Sequence, residues 1–180
     1  MMFRRGVSSI VATALLIILT LALALIIATV AIPFVRNSLQ SSTECSAYKN
    51  YFTFDSSFDL NCYAASGATA KVSVKAAHLS VDNAKKIKGM QFVFVKEGGS
   101  SESVSFVDGA PSSCSGGGVI NYGEPCPGSE PLTIPQVGES RSYLYSPKTG
   151  VQGYVLVNPV LDSGRICDTS DRIKLSLCPS

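Results

Sequence analysis

The sequence has no tryptophan, a single histidine (His78) and only 28 charged side chains in 180 residues. One histidine rules out multi-histidine metal sites. With no Cys-x-x-Cys pair among the cysteines, zinc-finger spacing is excluded as well. Asn37 and Asn158 both fail the Asn-x-Ser/Thr spacing, so no N-glycosylation is expected. The longest absence concerns charge. From Gly6 to Val35 there are thirty residues without an ionisable side chain, and the polar ones in that run are Ser8, Ser9, Thr13, Thr20 and Thr29. About 20 apolar residues span the hydrocarbon of a bilayer, so this run has membrane length.

What charge there is surrounds that run and then balances itself. Arg4, Arg5 and Arg36 bracket it; the rest of the chain carries 12 basic and 13 acidic residues and is close to neutral. A body so balanced offers no electrostatic footprint for nucleic acid, which is not expected as a partner. Two arginines before the run and one after it predict a cytoplasmic N-terminus with the bulk of the chain outside. The apolar stretch is about twice the length of a cleavable secretory signal's core. All six cysteines (Cys45, Cys62, Cys114, Cys126, Cys167, Cys178) lie beyond it, an even number in a translocated domain, which predicts disulfides in an oxidising compartment. Six cysteines allow fifteen pairings. The local set is preferred: Cys45–Cys62, Cys114–Cys126 and Cys167–Cys178, the last joining the ends of a terminal hairpin.

Three segments are expected: 1–6 as a leader, 7–40 as an apolar helix and 41–180 as a β-rich head. A helix from Val7 to about Leu39 would be roughly 50 Å long, with Pro33 as its interior breaker, causing a mild kink or the start of an end. Ser9, Thr13, Thr20, Ala24, Ala28 and Ala31 recur at near-helical spacing and form a small-residue face on which a second helix backbone can come close.

Beyond the helix, an aromatic stretch to Tyr63 reads as a wrap closed by Cys45 and Cys62. The period then becomes two. Alternation or short apolar runs at Lys71–Ala76, Met90–Val95, Glu102–Phe106, Ser142–Tyr145, Gly153–Val160 and Arg172–Leu177 predict about six strands, with turns at Gly98-Gly99 and Asp108-Gly109. Between Gly109 and Gly138 lies a Gly, Ser and Pro-rich insertion that reads as a long loop held by Cys114 and Cys126. The predicted class is α+β: a long apolar α-helix followed by an antiparallel β-sandwich-like head with disulfides.

No catalytic constellation is legible, and no enzyme, cofactor or metal is expected. His78 has no nucleophile motif beside it. Asp162, Asp168 and Asp171 lie among Arg165 and Arg172 and read as ion pairing rather than as a calcium site. Lys85, Lys86 and Lys88 read as a solvated turn.

The first residues carry a resemblance. Met1-Met2-Phe3-Arg4-Arg5-Gly6, followed by Val7-Ser8-Ser9-Ile10-Val11-Ala12-Thr13, resembles the class III signal of archaeal type IV pilins. The likeness covers about the first 30 residues. It implies that a membrane prepilin peptidase cuts between Gly6 and Val7, and that an assembly ATPase and its membrane platform build a homopolymeric filament for adhesion. Gly6 lacks a Cβ and lets the backbone enter a protease cleft, while Arg4 and Arg5 hold the bond at the headgroups. Bacterial pilins usually carry Glu at the fifth mature position; Val11 stands there, a departure shared with archaeal relatives. The resemblance implies a membrane precursor and an extracellular filament when mature. The competing expectation is a single-pass anchored ectodomain that binds at the cell surface without polymerising.

Overall fold

A computed structural model describes residues 9–57, 59–77, 86–126 and 130–179. The leader residues Arg4, Arg5, Gly6 and Val7, and also His78 and Lys85, lie outside them. The chain divides into two compact units, Met1–Glu44 and Cys45–Ser180.

Helix α1 runs over Ser9–Ile26, a π-helical turn over Ile27–Ala31, and helix α2 over Ile32–Ser46. The helical segment therefore continues past residue 40. Pro33 does not end it. With no N–H of its own and a ring that crowds the carbonyl four residues back, Pro33 cannot complete the regular ladder. The turn before it widens instead, and the Ile32 amide donates to the Ile27 carbonyl, five residues away.

The second unit is a two-sheet sandwich. Its strands are β1 (Phe52–Phe54), β2 (Cys62–Tyr63), β3 (Ala70–Ala76), β4 (Ile87–Lys96), β5 (Ser101–Val107), β6 (Gly118–Asn121), β7 (Ser140–Ser146), β8 (Gly153–Leu161), β9 (Asp171–Lys174) and β10 (Ser176–Leu177). One sheet has the order β10-β2-β3-β7-β6, with β1 also on β3; the other has β5-β4-β8-β9. Every pairing is antiparallel except β10 with β2. The class is thus the expected α+β.

Alternation builds the core. Val72 and Val74 of β3, Tyr143 and Tyr145 of β7, Phe92 and Phe94 of β4, and Val155 and Val157 of β8 are all fully buried. Each of the valine and phenylalanine side chains contributes about 1.5–3 kcal/mol by leaving water. The Phe94 and Tyr145 rings stack at 4.2 Å and 6°, while Phe92, Phe106 and Tyr143 meet at tilted angles. The predicted aromatic wrap also contributes: Tyr48, Tyr51 and Phe52 join this core.

Strands β1 and β2 share one edge of β3, leaving Val72 and Ser73 between them without a strand partner on that side. The gap is filled by a buried side chain. Asn61 Oδ1 accepts the Ser73 amide at 2.9 Å, and Asn61 Nδ2 donates to the Asp55 carbonyl at 2.7 Å. The outward amides of β1 are taken as well: Phe52 N donates to Ser170 Oγ and Phe54 N to Asp171 Oδ2, both at 2.9 Å. These two side chains stand at the start of β9 and join one sheet's edge to the other sheet.

The cysteine pairing corrects two of the three local bridges. Cys114–Cys126 forms as expected, but Cys45 pairs with Cys167 and Cys62 with Cys178, so neither Cys45–Cys62 nor Cys167–Cys178 exists. The reason is topological. The predicted last strand is broken at Leu175, which turns inward and is buried; β9 stays with β8, while β10 crosses to the other sheet and lies parallel to β2. Ser176 stands opposite Cys62, which brings Cys178 next to Cys62 and leaves Cys167 to Cys45.

Candidate functional site

Val11–Arg36 forms a 26-residue stretch of mean hydropathy 3.1, none of it buried within the chain. At 1.5 Å per residue it is about 39 Å long, enough to cross a hydrocarbon layer of about 30 Å. Its large side chains face outward all round, from Leu15 and Ile18 to Phe34, which is 71% exposed.

The hydroxyls in this stretch are satisfied internally. Thr20 Oγ1 donates to the Ile17 carbonyl at 2.9 Å, and Thr29 Oγ1 to the Leu25 carbonyl at 2.8 Å. Neither therefore brings an unpaired polar group into an apolar medium.

Thr13, Thr20 and Ala24 lie on α1 in regular phase, with Ser9 at its first residue. The π turn breaks that phase. It spends an extra residue on one turn, and each residue is worth about 100° of rotation, so Ala31 is set out of phase with the residues before the turn.

In the head, a cleft of about 600 Å³ opens between β5 and the segment leading into β6. Val104, Phe106, Val119 and Leu132 form its apolar floor, with Glu102 and Lys148 at the rim. The Lys148 amide donates to Glu102 Oε1 at 3.1 Å. Partial burial works against the Glu102 charge, but the nearby Tyr145 hydroxyl, the Lys148 amide and the Lys96 and Lys148 ammonium groups outweigh it and hold the carboxyl below its usual range. Burial, together with the neighbouring carboxylate, pushes the Tyr145 phenol up. The Tyr143 phenol is likewise raised by burial, and it donates to the Thr133 carbonyl at 2.6 Å.

Of the C-terminal acidic residues, Asp171 is engaged locally, accepting from the Phe54 and Arg172 amides. Among the described residues no group of three or more His, Cys, Asp or Glu converges as a cation site. The cleft left little trace in the sequence, because strand β6 lies inside the Gly, Ser and Pro-rich insertion, where alternation is too short to read.

No protein-family model matches the chain, and none of the curated proteins matches it.

Proposed function

We propose that the chain is the structural subunit of an archaeal type IV pilus-like surface filament, assembled through its N-terminal helix and serving adhesion. The observation that carries this reading is the Val11–Arg36 helix, apolar around its whole circumference, with its large side chains exposed. Such a surface belongs in lipid before assembly and against other helices afterwards. Exchanging lipid for helix contacts is nearly neutral per unit of apolar area, so assembly would draw on close packing at the Thr13, Thr20 and Ala24 face and on an external motor, the assembly ATPase and its platform. Three disulfides suit a domain displayed outside the cell.

On this reading Arg4, Arg5 and Gly6 direct a prepilin peptidase to the bond before Val7. Mass spectrometry of surface and membrane fractions tests it: the mature chain is expected to begin at Val7. A chain beginning at Met1, together with an absence of filaments, would replace the pilin by a single-pass anchored ectodomain. Gly6→Val is expected to block processing and filament formation while membrane insertion continues.

A further inference from the structure

Sandwich domains need to protect their sheet edges, because unpaired N–H and C=O groups are a template for other strands. Among the described residues, three of the four edges are blunted. The β9 edge lies against β1, bonded through Ser170 and Asp171; β10 has two residues and is followed by Cys178 and Pro179; β6 has four residues and lies inside the loop closed by Cys114–Cys126. The fourth, β5, has seven residues and contains no proline, lysine or bulge.

The phase of the β4–β5 ladder says which groups on β5 are free. Asp108 N donates to the Lys88 carbonyl and Lys96 N to the Ser100 carbonyl. With Gly89 opposite Val107 and Val95 opposite Ser101, residues 102, 104 and 106 therefore bond to β4. The amides and carbonyls of Ser101, Ser103 and Ser105 point away from it, and all three residues are exposed. Val107 also points away, but its carbonyl already accepts the Ala110 amide.

We infer that β5 is a self-pairing edge: two copies of this chain join by antiparallel β5–β5 pairing centred on Ser103, merging their four-stranded sheets into one of eight strands. The strand's own sequence selects this register. Centred on Ser103, the pairing sets Ser101 opposite Ser105 and uses all six free backbone groups of each copy in six hydrogen bonds. It also places Glu102, the one charged residue of β5, opposite Val104 of the second copy. Centring on Glu102 would put two carboxylates face to face; centring on Val104 would call on the Val107 carbonyl, which is already occupied. The contact is isologous and closes at two copies, unlike the head-to-tail contacts that extend a filament. It would therefore join subunits of separate filaments, or of separate membrane-bound chains.

Charge placed on the exposed face tests the register. In the full chain in detergent, Ser101→Lys with Ser105→Lys opposes lysines at both crossings, and is expected to weaken self-association in sedimentation equilibrium about tenfold. Ser101→Lys with Ser105→Glu places opposite charges at both crossings and is expected to restore it to the parental level or better. Any association through the apolar helix is common to all three proteins and cancels in the comparison. Equal association constants for the three, or monomers throughout, would overturn the proposal, as would failure of the Lys/Glu pair to rescue. Unchanged far-ultraviolet circular dichroism shows that these exposed substitutions leave the fold intact.

Discussion

Removing the Cys45–Cys167 bridge by the double substitution Cys45→Ala/Cys167→Ala has a cost that depends on which other bridge remains. Taken alone, it closes a loop with a sequence separation of 122, which the chain-entropy relation values at about 4.9 kcal/mol. The Cys62–Cys178 bridge, with a separation of 116, overlaps it almost completely. With that second bridge intact, the first closes only a loop of about 28 residues through the short Cys45–Cys62 and Cys167–Cys178 stretches, and its loss costs about 3.6 kcal/mol. Removing both costs about 8 kcal/mol, a large part of the about 5–15 kcal/mol that stabilises an ordinary domain. Thermal unfolding of the full chain in detergent, followed by near-ultraviolet circular dichroism, is the assay. Each two-cysteine deletion is expected to lower the Tm by about 10 °C or more, and the four-cysteine deletion to unfold the head at ambient temperature. The reasoning is refuted if the first deletion costs less than about 1 kcal/mol, or if a nonreducing peptide map links Cys45 to Cys62.

Local geometry yields two further expected outcomes. A Cβ on Gly89 would lie 2.2 Å from the Phe106 carbonyl oxygen, so Gly89→Ala is expected to destabilise the head by about 2 kcal/mol or more in urea unfolding, by forcing β4 and β5 apart. The Asp55 carboxyl is held low chiefly by the Ser140 hydroxyl, which donates at 2.7 Å, and by Ser57. A depressed folded-state pKa stabilises above the unfolded carboxylate range and loses that contribution as pH falls through the folded value. Ser140→Ala is therefore expected to raise the Asp55 pKa toward the ordinary range by NMR titration and to reduce the stability that the head loses on acidification below that range.

Where a strand carries several alternating residues, the sequence was sufficient. Lys71–Ala76, Glu102–Phe106 and Ser142–Tyr145 each fall inside an observed strand, and Gly98-Gly99 marks the turn between β4 and β5. What local pattern cannot express is pairing across distance. Residues 172–177 alternate as one strand, yet Leu175 turns into the core and sends the two halves to different sheets; nothing within those six residues encodes the parallel partner at Cys62. The two crossed disulfides are the product of that hidden step. Strands β1 and β2, of three and two residues, are too short to show a period and depend on Asn61, Ser170 and Asp171 to satisfy their neighbourhood. In the helix Pro33 was visible, but not its effect, because a widened turn and a kink answer the same missing amide.

The crossed disulfides also decide how the head responds to force. A pull between Cys45 and Cys178 does not run along the intervening polypeptide: it passes through sulfur to Cys167 and from there along the short stretch to Cys178. Even with every hydrogen bond broken, that path extends by only about 40 Å, where the unbridged chain would reach roughly 450 Å. Strands β3 to β8 sit inside the closed loop and bear no tension along this route. The head is therefore nearly inextensible between those points, so that load entering at Cys45 is transmitted across it rather than dissipated by unravelling it.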